Sequence, residues 1–566
     1  MKYFLILFIL LMASLNCHAQ NFELQLTGNS VLENKIIDSL GYISKHKNIK
    51  SLSTEIEQTS QKLSKLGYIQ NKVTEQLKIN DTTYIARFNL GTQTKYIHIY
   101  VGKIKTTVKL LLPNIKQDTI FLNYTVIEIF LNQNTIALEN KGYSLAKLKL
   151  TNIQRKKNTL FAELSFESEN QRKLNSIVIK YTNKLQNTNF PASYLAQINR
   201  KYKNKIFNQD LVAKIHNEFK TYNFITQTKY PEILFTKDST KVYLYLENRK
   251  SNTFDGFIGF SNNENKKITL NGYLDLTLEN TLQVGEQFSL YWKSDGNQQR
   301  TFNTSLELPY LFKSPIGLKA QLNIFKQDST FQNTKTEIDI SYFINYNTRS
   351  YIGYQSTVSS DIQNSDNTII TDYKNKFVTA NLNYSNRDYT STLFFEKSSV
   401  ALKTGLGKRE TDNQTENSEK NKQFYIELQA MHNFYFNAKN NINIKTQNYY
   451  LHSSDYLDNE LYRFGGVNSI RGFTENSLAA NFMTSIITEY RYIASPNLYF
   501  HTILDYCRLT TSSTTDNKTN LLGIGIGMGA KTTTGLLKIS LANGGVESKK
   551  IYLYNTIIHI SYNVKF

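Results

Sequence analysis

The chain has 566 residues, with 66 Lys and Arg against 46 Asp and Glu, a formal net charge of +20, 13% aromatic side chains and two cysteines. Cys17 falls in the leader described below, which leaves Cys507 as the one thiol and excludes a framework of internal disulfides. Beyond the leader no stretch approaches the roughly 18 apolar residues of a membrane helix, so a helical membrane protein is excluded, and the Lys and Asn excess along the whole chain reads more as compositional bias than as an anionic-surface signal.

Met1-Lys2-Tyr3, the apolar run 4–15 and Cys17-His18-Ala19 before Gln20 form the layout of a cleaved secretory signal, residues 1–19. A lipoprotein reading through Cys17 is disfavoured, because Asn16 is bulkier than the small residue such a site prefers.

Residues 21–252 combine helical spacing with strand-like runs, and they repeat. One helix closes on Gly67-Tyr68, a second on Gly142-Tyr143, and a third, 209–219, ends at Thr221-Tyr222-Asn223-Phe224 with the tyrosine kept and the glycine absent. A glycine just past a helix supplies the left-handed cap residue. Two strand-like runs follow each helix: 72–78 with 83–90, 145–152 with 159–166, and 226–235 with 241–247. Such a recurring unit predicts three modules of helices on a short mixed sheet, at 20–112, 113–170 and 171–252. Exposed strand edges in modules of this kind accept an extended segment of another polypeptide by strand addition.

From residue 253 to the end the period changes to two. Phe288, Leu290 and Trp292 alternate with Ser289, Tyr291 and Lys293; Leu522, Ile524, Ile526 and Met528 alternate with four glycines, Gly523 to Gly529. In the last strand, 551–566, Ile558, Ile560, Tyr562, Val564 and Phe566 fall on one face and His559, Ser561, Asn563 and Lys565 on the other. A soluble sandwich accounts for any one such segment, but not for about sixteen in succession; a β-barrel with lipid outside and water inside does. Tight connections are expected at 385–388, 437–440 and 494–496, and long polar loops at 359–371, 404–422 and 510–518, the alternation of periplasmic turns and external loops.

Within the barrel segment lies Tyr462-Arg463-Phe464-Gly465-Gly466-Val467-Asn468-Ser469-Ile470-Arg471-Gly472-Phe473. Three glycines let a loop fold sharply back, and an arginine at its tip presents a fixed fork of donors that needs carboxylates nearby. Glu489 shares a polar strand face with Asn481, Ser485 and Arg491, and Asp505 shares one with His501. Both carboxylates are therefore expected to point inward, within reach of Arg471. The glycine face 523–529 would leave room for the loop.

Tandem modules, a barrel of about sixteen strands and Arg463-Phe464-Gly465-Gly466 leading into Ile470-Arg471-Gly472-Phe473 resemble the BamA/TamA superfamily of outer-membrane assembly and translocation barrels. Phe257-Ile258-Gly259-Phe260-Ser261, the stretch from Asn280 to Gln287, and Glu307-Leu308-Pro309 add to the resemblance, and three modules of the POTRA kind make it closest to TamA. The resemblance implies an α+β periplasmic region followed by an all-β transmembrane barrel at 253–566. It implies a lumenal loop between the eleventh and twelfth strands whose Arg471 meets Glu489 and Asp505. It also implies a lateral seam between Phe257, Gly259 and Ser261 of the first strand and Tyr562, Val564 and Phe566 of the last, with Phe566 doubling as a signal for the barrel's own assembly. Cys507 stands where the family commonly has glycine, and the last strand has no glycine at which to bend.

Catalytic chemistry is not expected. The eight histidines show no metal-ligand spacing, Gly142-Tyr143-Ser144-Leu145-Ala146 lacks the second glycine of a hydrolase elbow, and no phosphate loop is present. The expectation is a non-enzymatic outer-membrane insertase or translocase, without cofactor, metal or nucleic acid. Its partners would be outer-membrane lipids, unfolded outer-membrane or secreted clients and a possible periplasmic accessory protein. The alternative is a dedicated two-partner-type secretion pore that passes one protein through its lumen.

Overall fold

The computed structural model describes residues 21–565 except 103–105, 107–109, 113–114, 116, 168–169, 182–189, 263–267, 296–298, 364–369, 389–390, 392, 412–420, 512–517, 534 and 547–555. The leader and Phe566 thus lie outside the described residues. The chain forms two compact units, one of residues 1–174 with 204–211, the other of residues 175–203 with 212–566.

In the first unit, strands β1 (Phe22–Gly28), β2 (Lys45–His46), β3 (Lys72–Lys78) and β4 (Thr83–Asn89) form a sheet in the order β2-β1-β4-β3, with β1 and β4 parallel. Helices α1 (Val31–Ser39) and α2 (Ile49–Lys65) cover one face. Helix α2 begins at Asn48, whose Oδ1 accepts from the Ser51 amide at 2.8 Å, and buries Leu52, Ile56 and Leu63 at helical spacing against Leu24, Ile37 and Phe88. The second sheet has β5 (Tyr96–Tyr100), β6 (Thr119–Asn123), β7 (Lys147–Lys156) and β8 (Thr159–Glu167) in the order β6-β5-β8-β7, with helix α3 (Ile127–Asn140) burying Leu138 against Ile97, Ile99 and Leu164.

This sheet repeats the first strand for strand, including its parallel central pair. Its first strand precedes residue 112, so the boundary expected at 112/113 cuts through the second module and is corrected to the link between Asn89 and Tyr96. The sequence signal was missed because β5 comes before its helix, while the runs used to mark each module come after it.

The second unit opens with a third sheet, β9 (Ser176–Tyr181), β10 (Ile225–Gln227), β11 (Glu232–Phe235) and β12 (Thr240–Asn248), in which β9 and β12 are parallel. Helices α4 (Ala192–Tyr202) and α5 (Gln209–Lys220) belong to this module, α5 starting at the end of the first unit.

A closed barrel follows. Its first eight strands are β13 (Thr253–Asn262), β14 (Ile268–Glu279), β15 (Gln287–Asp295), β16 (Gln299–Leu308), β17 (Ile316–Gln327), β18 (Phe331–Asn345), β19 (Thr348–Asp361) and β20 (Tyr373–Arg387). Next come β21 (Glu396–Thr411), β22 (Lys422–Tyr435) and β23 (Asn440–His452), and then a small separate hairpin of β24 (Tyr462–Phe464) and β25 (Leu478–Ala480) that is not part of the wall. The wall closes with β26 (Phe482–Ser495), β27 (Leu498–Thr510), β28 (Lys518–Lys531), β29 (Gly535–Val546) and β30 (Ile557–Lys565), sixteen antiparallel strands in all.

Strand β18 displays the rule that builds it. Ile338, Ile340, Tyr342 and Ile344 are 52–61% exposed, while Glu337, Asp339, Ser341 and Phe343 between them are at most 4% exposed. Apolar side chains thus face outward in a continuous band and polar ones face the lumen, the inverse of a soluble protein and the arrangement of an outer-membrane barrel. Two connections differ from expectation. β20 runs on to Arg387, so the turn expected at 385–388 is the longer link 388–395, and β21 runs to Thr411, so the loop expected from 404 starts at 412, outside the described residues until 421.

Closure is uneven. Among the described residues β13 pairs with β14 over ten residues and β30 with β29 over eight, while β13 and β30 meet over three pairs: Thr253↔Lys565, Phe254↔Val564 and Asp255↔Asn563. The ladder ends on a side chain, because the next amide, that of Tyr562, donates to Asp255 Oδ1 at 3.1 Å, an oxygen that also accepts from the Tyr273 hydroxyl at 2.5 Å.

Candidate functional site: the lumenal loop and the seam

The chain between β23 and β26, the eleventh and twelfth wall strands, turns into the lumen as expected. Its first arm, 453–461, is fastened to one wall. Arg409 on β21, 2% exposed, donates Nη2 to Asp455 Oδ1 and Nη1 to Glu460 Oε2, each at 2.5 Å, and Gln423 Nε2 on β22 donates to Glu460 Oε1. Beside this pair Asn459, 1% exposed, donates to Ser359 Oγ at 2.7 Å and to the Thr371 carbonyl at 2.9 Å, while its own carbonyl accepts from Asn333 Nδ2 at 2.6 Å and the Tyr373 hydroxyl at 3.2 Å. One asparagine thereby bridges β18, β19 and β20.

The second arm carries the motif. Arg463 does not join the Arg471 cluster; its guanidinium lies over the Phe331 ring, 5.5 Å away, and Nη2 donates to the Asp458 carbonyl. Gly465 and Gly466 turn the chain with φ of +109° and +94°, and the Gly466 amide donates to the Ile470 carbonyl at 3.2 Å. Ile470 is fully buried with Phe464 against Met483, Ile487, Cys507 and Leu509, with Phe473 at the rim. Cys507 is thus part of the loop's apolar seat.

Arg471, 3% exposed, then reaches the carboxylates. Nε donates to Asp505 Oδ2 at 2.8 Å and Nη2 to Asp505 Oδ1 at 2.6 Å, a bidentate fork. Nη1 donates to Glu489, and the Arg471 amide donates to Asp505 Oδ2 at 3.0 Å. Glu489 is in turn paired with Arg491 at 2.5 Å. Two carboxylates face two guanidinium groups, so the buried set is neutral, which is the condition for holding charges out of water.

Close backbone contact fixes the remaining glycines. Gly472 has φ +88° and abuts the Asn543 and Gly544 backbone, and a Cβ at Gly523 would collide with the Arg471 carbonyl. The expected glycine space on β28 is therefore used by the loop at Gly523, whereas Gly527 and Gly529 accommodate the His501 and Tyr499 rings of the neighbouring strand. Glu475 adds an ion pair to Lys293 on β15 at 3.1 Å.

β18, whose Asn333 holds Asn459, and β27, whose Asp505 holds Arg471, are seven places apart in the ring of sixteen, so the loop crosses the lumen between facing walls. Toward the module end of the barrel a polar cavity of about 500 Å³ remains, lined among others by Glu307, Lys319, Arg349, Tyr351 and Lys445.

At the seam, Phe257, Gly259 and Ser261 lie on β13 opposite Tyr273, Asn271 and Thr269 of β14, and among the described residues none of them pairs with β30. Val564 does pair across the seam, with Phe254, and Tyr562 meets it through its amide. The sequence-based site therefore placed the first-strand side of the contact too far along; the paired residues are Thr253, Phe254 and Asp255. Arg409 was missed as well, because Lys403, Gly405, Gly407 and Arg409 line the inner face of β21 while Lys408 and Glu410 lie outside, which erases the apolar alternation and reads as a loop. Among the described residues no three His, Cys, Asp or Glu side chains gather as a metal-ligand set.

No protein-family model and no curated protein sequence matches the chain. Among solved structures, CdiB from Escherichia coli superposes with a TM-score of 0.52 at 15% identity, covering 90% of this chain and 98% of that one. CdiB from Acinetobacter baumannii gives 0.51 at 13% identity with 84% and 90% covered, and BamA from Haemophilus ducreyi lacking POTRA domains 1-3 gives 0.49 at 16% with 83% and 98% covered. At such identities the likeness is one of fold, and the two CdiB structures carry it. The chain therefore has the architecture expected from its sequence, α+β modules followed along the chain by a closed sixteen-stranded antiparallel β-barrel, and this fold is shared with the two CdiB structures.

Proposed function

We propose that this protein inserts client proteins into the outer membrane, or translocates them across it, by admitting client strands at the seam between β13 and β30. The observation that carries the reading is the three-pair contact of these two strands. Beyond Asp255 the β13 edge continues to Asn262, and among the described residues no further pair with β30 follows. In a lipid setting unmet backbone groups cost several kcal/mol each, so such an edge favours the arrival of another strand. The modules, with their mixed sheets, would present clients in extended form. The reading assigns no catalytic residue, cofactor, metal or nucleic acid. Lipid, unfolded clients and a periplasmic accessory protein are the partners it calls for.

The alternative is a secretion pore, and the polar cavity below the loop favours it. Passage through the lumen would require the loop to leave both walls, breaking the Arg409 and Arg471 pairs together. A cysteine pair at Phe254 and Val564, which face each other across the seam, on a Cys507→Ser background distinguishes the two. Loss of client assembly on oxidation, recovered on reduction, is the expected result; full activity of the locked and folded barrel would overturn the lateral reading and leave the lumen as the route.

A further inference from the structure

Two of the connections at the module end of the barrel are bent into conformations that non-glycine residues avoid. In 280–286, between β14 and β15, Asn280 and Gln283 have φ of +56° and +62°; in 309–315, between β16 and β17, Tyr310, Phe312 and Lys313 have φ of +51°, +53° and +57°. Side chains of ordinary L-residues crowd the backbone there, so the surroundings must hold such turns in place.

Both turns are held by helix α4. Tyr194, 2% exposed, donates its hydroxyl to the Gly285 carbonyl at 3.1 Å and packs edge-on against Tyr310 with ring centres 4.7 Å apart. A Cβ at Gly285, where φ is +85°, would run into the Tyr194 ring. One helical turn on, Gln197 Nε2 donates to the Lys313 carbonyl at 2.5 Å, and Arg200 Nη2 donates to the same oxygen at 3.4 Å. Inside the first turn the buried Glu286 carboxylate accepts from the Leu282 and Val284 amides at 2.6 and 3.3 Å.

What this restraint achieves is the exposure of large apolar side chains. Phe312 is 100% exposed, Leu282 71% and Val284 50%. Polar residues would be the cheaper choice at a turn tip facing water. The tips also continue an established surface, because Leu306 on β16 and Ile316 and Leu318 on β17, on either side of Phe312, belong to the outward apolar band, as do Ile340 and Tyr342 opposite them on β18.

We propose that Phe312, Leu282 and Val284 form a lipid-contacting rim, which α4 of the third module presses into the periplasmic leaflet of the outer membrane. Continuity with the lipid-facing band selects lipid over a protein occupant, and an aromatic side chain at the headgroup level is the residue type that such an interface favours. The rim would fix the height of strands β14 to β17 relative to the bilayer.

Tryptophan fluorescence tests the assignment, since the chain has a single Trp, Trp292. The full-length protein carrying Trp292→Phe with Phe312→Trp is reconstituted into vesicles of phosphatidylethanolamine and phosphatidylglycerol, with and without brominated acyl chains. Unaltered protein supplies the lipid-facing reference through Trp292, and Trp292→Phe with Lys237→Trp, on the exposed link between β11 and β12, supplies the aqueous one. The expected result for the Phe312→Trp variant is a loss of indole emission to bromolipid comparable to that of Trp292, with protection from acrylamide. Emission that acrylamide quenches as it does at position 237, and that bromine leaves unchanged, would overturn the proposal. So would protection that arises only after an unfolded outer-membrane protein is added, which would assign the tips to clients. Leu282→Trp serves as a second reporter should the 312 variant fail to fold.

Discussion

Replacing Arg471 by alanine strands one carboxylate and leaves the other satisfied. Glu489 keeps Arg491 at 2.5 Å, whereas Asp505, 0% exposed, loses both bonds of its bidentate partner and retains only the amide of residue 471. Breaking a buried pair in this way costs roughly 3–5 kcal/mol, and with Glu489 still paired the lower half of that range applies. At about 1.4 kcal/mol per factor of ten, a loss of ~3–4 kcal/mol raises the population with the loop tip released roughly 10²- to 10³-fold. Arg471→Lys retains the charge but cannot form the planar fork while also reaching Glu489, so its effect falls between alanine and wild type. Arg471→Ala with Asp505→Asn removes the stranded charge and recovers most of the loss. The assay is limited trypsin digestion of the folded barrel in detergent, read as the rate of cleavage after Arg463. A cleavage rate unchanged in Arg471→Ala, or a double variant as labile as the single one, would refute the reasoning.

Arg409→Ala is expected to free the other arm at a similar cost, roughly 3–5 kcal/mol, since it leaves the buried Glu460 side chain without its cation; the two clamps share no partner, so their effects on single-channel conductance should add, with the double variant the most open. Gly472→Ala forces a left-handed residue against the Asn543–Gly544 backbone, for about 1–2 kcal/mol of conformational strain before any overlap, and should raise loop cleavage without altering barrel closure, as followed by heat-modifiability on gels. Asp255→Ala removes the acceptor that ends the seam ladder; a hydrogen bond to a charged group contributes roughly 1.5–3 kcal/mol, so amide exchange at Tyr562 should accelerate about ten- to hundredfold while β29 amides stay protected.

The sequence by itself determined the periodicities and what they demand locally. Ile558, Ile560, Tyr562 and Val564 alternate with His559, Ser561, Asn563 and Lys565, and no solvent arrangement other than lipid outside and water inside satisfies that order over so many strands. Gly67 and Gly142 mark helix ends because glycine takes their left-handed φ, +99° and +90°, without the steric cost that a side chain brings. A guanidinium at a glycine-bounded tip requires carboxylates, and the parity of Glu489 and Asp505 put them on the inward face, so the Arg471 cluster could be read before it was seen.

Tertiary structure alone decided which groups meet across distance. The seam's three-pair register depends on how sixteen strands close, and nothing in β13 or β30 taken singly fixes it. Arg409 finds Glu460 only because the loop returns through the lumen, and on an isolated strand its neighbours look like loop. Tyr194 seizes two turns more than eighty residues downstream because docking brings α4 beneath them. Alternation records which side of a wall a residue faces; pairing, closure and docking depend on the whole chain, and their energies reside in contacts that no local pattern encodes.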